Sequence, residues 1–150
     1  MGRLLGISRR TKAHGPMETL DAAEVTPAAG IAGDVRGKPG RRQVTVLPVE
    51  GWRVACAEAG ADLPWTARRA NLLVEGINPA GCVGHRIVIG TLVLEITGET
   101  DPCSKMEAAH TGLMAALLPD WRGGVTCRVR TAGQVRPGDE VSLLPPLPTT

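Results

Sequence analysis

Cys103 is the residue whose surroundings most favour chemistry. It follows Asp101-Pro102, and Asp at an N-cap with Pro at the first helical position signals a helix start. The thiol is therefore expected in the first turn of a helix, where backbone N–H groups and the helix dipole favour the thiolate. Lys105, two residues on, adds positive charge, while Asp101 opposes it by repulsion. A thiolate is both a nucleophile and a soft metal ligand, so this position suits sulfur transfer or a transition metal. The alternative is a buried, inert cysteine.

The other three cysteines read differently. Cys56 falls on an apolar helix face and Cys127 on the apolar side of an alternating strand. Both are expected in the core, because a free cysteine behaves as a small hydrophobe. Cys82 sits in the loop AGCVG, where nothing local activates it. No CxxC pair exists, which argues against a structural zinc site. Cysteine density and chain length argue against a disulfide framework. Reduced thiols point to a cytoplasmic protein.

Basic segments could hold an anion. They are Arg36-Gly-Lys38-Pro-Gly-Arg41-Arg42 and Arg68-Arg69. Each lies beside glycine or opens a strand, as phosphate-binding loops do. A solvated surface is the plainer reading of either segment alone. Asn71 opens the apolar run Asn71-Leu-Leu-Val74 and must find partners for its amide, structural or ligand. His14, His85 and His110 are isolated, and no Ser-His-Asp, GxGxxG or Walker pattern is legible.

These residues need a scaffold to position them. The chain has 150 residues, 43% hydrophobic and 21% charged, which suits one globular domain. Three Trp without Phe or Tyr leave an aliphatic core, and 19 Gly with 12 Pro imply many turns between short strands. The net charge of +2 is too small to argue for nucleic acid. No apolar run approaches the roughly 18 residues of a membrane span. The segment MGRLLGISRRTKAHG lacks the continuous apolar stretch of a signal peptide.

Strands are expected at Arg3–Ser8, Arg42–Leu47, Asn71–Val74 and Val125–Arg130, with two short extended pieces in Gly133–Leu144. His85–Ile89 and Leu92–Ile96 form a hairpin around Gly90-Thr91. Val49–Ala59 reads as a helix ended by Gly60. A second helical stretch runs from Pro102 to about Leu118, with a break near Gly112. Arg9–Gly15 and Thr26–Gly40 read as loops. Seven or so strands with two or more short helices make a mainly β fold, closed as a small barrel that removes exposed edges. One domain over residues 1–144 is expected, followed by a Pro-rich tail over 145–150.

Taken together the segments resemble a known family. The order is Gly33-Asp34, Arg41-Arg42-Gln43-Val44, Arg68-Arg69-Ala70-Asn71-Leu72, Gly76-Ile77-Asn78 and Gly84-His85-Arg86-Ile87-Val88-Ile89-Gly90. Pro102-Cys103-Ser104-Lys105-Met106, Arg122-Gly123-Gly124-Val125 and Gly138-Asp139-Glu140-Val141 follow. This is similar to the MOSC family, named for the C-terminal domain of molybdenum cofactor sulfurases, and most to its short stand-alone bacterial members. The resemblance spans roughly Leu4 to Leu144.

The resemblance implies a mostly β barrel and a cysteine, here Cys103, that carries a persulfide or ligates molybdenum in a bound molybdopterin cofactor. It implies that Arg42, Gln43, Arg69 and Asn71 hold the pterin and its phosphate, with Arg36 and Lys105 as further anion contacts. Many members have a histidine two residues beyond the Gly-Asp aspartate, whereas Arg36 stands here. Some relatives reduce N-hydroxylated compounds, which would require a flavin or iron–sulfur electron-donor protein. Others transfer sulfur, which would require a cysteine desulfurase partner. A non-catalytic anion-binding barrel is the third alternative. Pyridoxal phosphate is not expected, since none of Lys12, Lys38 and Lys105 lies in a Schiff-base context. The oligomeric state stays open.

Overall fold

The structure, a computed structural model, describes residues 1–148. The first strands are β1 (Gly2–Arg9), β2 (Glu18–Leu20), β3 (Ala23–Thr26), β4 (Gly30–Ile31) and β5 (Val44–Pro48). Helix α1 (Val49–Ala59) and a 3-10 turn (Trp65–Arg68) lead to β6 (Leu72–Glu75), β7 (Arg86–Ile89) and β8 (Leu92–Glu99). Helices α2 (Ser104–Ala109) and α3 (Leu113–Leu117) precede β9 (Val125–Thr131), β10 (Gly133–Val135) and β11 (Glu140–Leu144).

Seven strands close a barrel in the order β11-β7-β8-β9-β5-β6-β1, and β1 returns to β11 through Gly2↔Val141 and Arg3↔Glu140. The expected mainly β barrel is therefore present. β2 continues the sheet beyond β1, and β10, β3 and β4 form a small second sheet. The interior is aliphatic, as the composition dictates. Along β8, Leu92, Leu94 and Ile96 are fully buried, while Val93, Glu95 and Thr97 are not. That alternation fixes the register, because a one-residue slip would turn the apolar set outward. Each such buried side chain contributes about 1.5–3 kcal/mol of transfer free energy.

One pair, β5 with β6, is parallel. A parallel connection needs a crossover, and residues 49–71 supply it. α1 begins and ends where its periodicity predicts, and Gly60 closes it in the left-handed region at φ 67°. Trp52, Ala55 and Cys56 of α1 pack with Leu113 and Leu117 of α3 over Leu47 and Leu73, a second apolar cluster outside the barrel.

Two expectations need correction. The second helical stretch starts at Ser104, with Cys103 as N-cap and no side-chain cap. Asp101 and Pro102 are not part of it: the Arg68 guanidinium binds the carbonyls of Thr100 and Asp101 and draws this segment off helical geometry. Cys103 is extended at φ −126°, ψ 176°, so it does not lie in a first helical turn, and α2 is only six residues long. The break near Gly112 is present, at φ 87°. The second correction is to the loop Thr26–Gly40, which contains the short strand β4. Pro145–Pro148 carry no regular structure, and the last two residues of the expected tail lie outside the described residues.

Candidate functional site

Five loops and strand ends converge on a cleft of about 300 Å³ at one end of the barrel. Arg10 follows β1. Asp34, Arg36 and Arg42 come from the segment between β4 and β5. Arg68, Arg69 and Asn71 precede β6. Thr100, Asp101, Cys103 and Lys105 span the β8–α2 connection, and Gly123 and Thr126 come from the start of β9. The volume is at the lower end of small-molecule sites.

Arg68 assembles the wall around Cys103. It is buried, and its Nε donates to the Gly123 carbonyl at 3.1 Å. Its Nη2 donates to the carbonyls of Thr100 at 2.8 Å and Asp101 at 3.4 Å. Burial lowers its pKa from the ordinary guanidinium value, and attraction to Cys103, Asp101 and Glu99 partly offsets this. Gly123 makes the arrangement possible, because a Cβ there would lie 2.9 Å from the Thr100 oxygen and 3.0 Å from Arg68 Nη2. The Cys103 thiol is exposed on this fastened segment, and its carbonyl accepts from the Met106 N–H at 2.9 Å.

The opposite side carries positive charge. Arg10 is buried, and its backbone N–H donates to Asp34 Oδ1 at 3.0 Å. Burial lowers the Arg10 pKa, repulsion from Arg69 and Arg36 lowers it further, and Asp34 opposes this. Arg69 sits in the left-handed region at φ 65°, and its Nη2 donates to the Gly15 carbonyl at 2.9 Å. Six cationic side chains and two carboxylates line the cleft. Among the described residues, the ion pairs are Arg9–Glu18, Arg122–Glu58 and Arg130–Glu95, so none of the six cations is neutralised by a carboxylate.

The residues singled out by sequence divide into three groups. Cys103, Lys105, Arg36, Arg42 and Arg69 line one cleft together. Asn71 also lines it, but its amide is spent on the scaffold. Oδ1 accepts from the Thr45 N–H at 3.0 Å and hydroxyl at 3.2 Å, and Nδ2 donates to the Ser8 carbonyl at 3.1 Å. Gln43 does not line the cleft. Its Nε2 donates to the carbonyls of Pro27 at 2.7 Å and Gly37 at 3.1 Å, and its Oε1 accepts from Val129 N–H at 2.9 Å. The side chain is buried just before β5 and fastens the Gly-rich segment to β9 rather than facing the cleft.

Sequence reasoning missed Arg10, Arg68 and Thr100 as individual residues. Arg10 lay in a segment read as a polar loop, and Arg68 counted only as one half of a basic pair. Thr100 carried no sequence signal, yet its buried hydroxyl lines the cleft without a hydrogen-bond partner. As for the other thiols, Cys56 and Cys127 are buried core residues, as expected, and Cys82 is half-buried. Burial pushes the Cys127 thiol far above its ordinary range. Cys56 is raised mainly by burial and further by Asp62, with a backbone hydrogen bond from Leu63 opposing.

A family model described as the MOSC domain matches residues 16–142. The chain belongs to the MOSC family. The MOSC barrel is also similar to the YUAD protein from Bacillus subtilis, with TM-score 0.77 and 20% identity over 95% of this chain and 96% of that one. YiiM from Escherichia coli gives TM-score 0.71 and 16% identity over 97% of this chain and 71% of that one. YiiM from Geobacillus stearothermophilus gives 0.66 and 19% over 95% and 73%. These identities establish a shared fold and no more. None of the curated proteins matches the sequence. No helix among the described residues is long and apolar enough to cross a membrane.

The MOSC family is associated with the molybdenum cofactor, and the residues present fit such a group. Among the described residues no cluster of three His, Cys, Asp or Glu could cage a metal, so a metal here needs most of its ligands from an organic partner. The unpartnered Thr100 hydroxyl and the unneutralised guanidinium groups match an anionic, hydrogen-bonding ligand.

Proposed function

We propose that this MOSC protein binds a molybdenum cofactor in the basic cleft and works as a small oxidoreductase on N-hydroxylated compounds. The observation that carries the reading is the gathering of Cys103 with Arg10, Arg36, Arg42, Arg69 and Lys105 around one cavity. Cys103 Sγ would ligate the metal. Arg42 and Arg69, with Arg36 and Lys105, would hold the pterin phosphate through charge-assisted hydrogen bonds. Thr100 Oγ1 would hydrogen-bond the ligand, and Arg68 would keep the Cys103 segment in position through its bonds to Thr100 and Asp101. When bound, the cofactor supplies two-electron redox chemistry, and the protein supplies orientation and electrostatics. Reduction of an N–OH group to N–H consumes two electrons and two protons and releases water. A flavin or iron–sulfur partner protein would deliver the electrons.

The test is metal analysis of protein made in a host that synthesises the cofactor. Wild type should carry molybdenum and Cys103→Ser should not. Equal metal in both would end the proposal.

A second reading draws support from the exposure of the Cys103 thiol. An accessible sulfur could take a persulfide from a cysteine desulfurase and pass it on. Incubation with a desulfurase and cysteine should then add one sulfur to Cys103 by mass spectrometry. No added sulfur across donors would count against it.

A further inference from the structure

The basic cleft shares a wall with a second cavity of about 460 Å³, lined by Arg41, Arg42, Gly98, Glu99, Asp101 and Thr126. Arg42, Asp101 and Thr126 line both cavities. The second differs in charge: Arg41 and Glu99 belong to it alone, and its wall carries two guanidinium groups and two carboxylates.

None of these four charges is in an ion pair among the described residues. The scaffold explains why they stay apart. Thr97 Oγ1 donates to the Arg41 carbonyl at 2.5 Å and lies 2.7 Å from Thr126 Oγ1, which ties the Arg41 backbone to β8 and β9. The Arg41 guanidinium then lies over Gly98, with Nη2 3.9 Å from the position a Cβ would take. Arg68, a buried cation near the carboxylates, directs its Nε and Nη2 at three backbone carbonyls rather than at Glu99 or Asp101. Glu99 is half-buried, and its pKa is raised by burial and by Asp101, with Arg68 opposing. The cavity wall thus brings two carboxylates and two guanidinium groups together with no ion pair among them.

We infer that the second cavity binds a small zwitterion, with Glu99 and Asp101 taking a guanidinium- or amidinium-type end and Arg41 taking a carboxylate or phosphate end. A planar cation with paired N–H donors matches a carboxylate through two parallel hydrogen bonds, and a guanidinium side chain matches an oxyanion in the same way. A uniformly basic cavity would select anions alone; the mixed wall rejects ligands of a single sign by leaving half its charges desolvated. Because the two cavities share a wall, the occupant sits beside the proposed cofactor cleft as its substrate. That catalytic meaning rests on the cofactor reading, whereas the binding itself does not.

The experiment is a titration of the metal-free full chain, followed by NMR or calorimetry, with γ-guanidinobutyrate as probe and butyrate and butylguanidinium as single-charge controls. The zwitterion should bind about tenfold or more tightly than either control at equal ionic strength, ~1.4 kcal/mol. Glu99→Gln should bring it down to the level of butyrate, and Arg41→Gln to that of butylguanidinium. Gly98→Ala keeps every charge and should fold, since the added methyl meets Thr126 Oγ1 at 3.6 Å and Arg41 Nη2 at 3.9 Å, ordinary contacts. It should weaken the zwitterion by filling the cavity. Butyrate binding as tightly as the zwitterion, absence of saturable zwitterion binding, or zwitterion affinity unchanged in Glu99→Gln would each overturn the inference. Molybdenum content is read separately, so a failure here is distinct from a failure of the cofactor reading.

Discussion

Four thiols share one chain and differ only in environment. Cys127 is fully enclosed in the barrel and Cys56 lies on the buried face of α1, and burial favours the neutral thiol of both. Cys103 is exposed and Cys82 half-buried. Since the thiolate is the reactive form, an alkylating reagent at neutral pH should label Cys103 first and Cys82 more slowly. Cys56 and Cys127 should stay unlabelled until the chain unfolds. Peptide mass spectrometry reads this order, and early labelling of Cys127 would contradict the burial argument. Glu99 gives a second test of environment. Burial and Asp101 raise its pKa, so the ionised form is disfavoured in the folded chain. Stability should fall as pH rises from the ordinary glutamate range through the raised value. Glu99→Gln removes that loss. It should melt above wild type at neutral pH, and the gain should vanish below the ordinary carboxylate range. A variant that melts no higher than wild type at neutral pH would contradict this.

Elements deliver these residues, and two buried amides hold the elements in register. Asn71 bonds β1 through Ser8 and β5 through Thr45, and Gln43 bonds the segment 27–37 to β9. Asn71→Ala leaves the Thr45 N–H and the Ser8 carbonyl buried and unpaired. At ~1–3 kcal/mol per orphaned group, denaturant unfolding should record a loss of about 2–6 kcal/mol. Gln43→Ala should cost a similar amount and also weaken phosphate binding, because it frees the segment that carries Arg36. Unchanged stability in both variants would show that water replaces these bonds at no cost. The same residues mark the limit of legibility. α1 was readable from Trp52, Ala55, Cys56 and the stop at Gly60, and the β7–β8 hairpin from its alternation around Gly90. Strands β2, β3 and β4 were not, because runs of two to four residues are too short to show a period and form strands only when a partner pairs with them. The start of α2 was misread because Arg68, distant in sequence, takes the carbonyls that a local reading assigned to a helix.

Barrel closure turns a list of separated segments into a site. The sequence offered Arg36, Arg42, Arg69 and Cys103 as candidates but held nothing that could bring them together. β1 meets β6, β6 meets β5, and β5 meets β9, and these pairings set Arg10, Arg69, Arg42 and Gly123 around one opening. The core that enforces closure is aliphatic and tolerant, so fold and site are coded by different residues. This is why a family pattern spread over eight short segments was legible while the roles of Gln43 and Asn71 were not. The central claim is that Cys103 and the surrounding guanidinium groups form one cofactor site. Molybdenum and pterin per chain, measured together in wild type, Cys103→Ser and the double variant Arg42→Gln/Arg69→Gln from a cofactor-producing host, test it most directly. Both are expected in wild type, with loss of molybdenum in Cys103→Ser and loss of both in the arginine variant. Wild-type levels of metal and pterin in the two variants would contradict it.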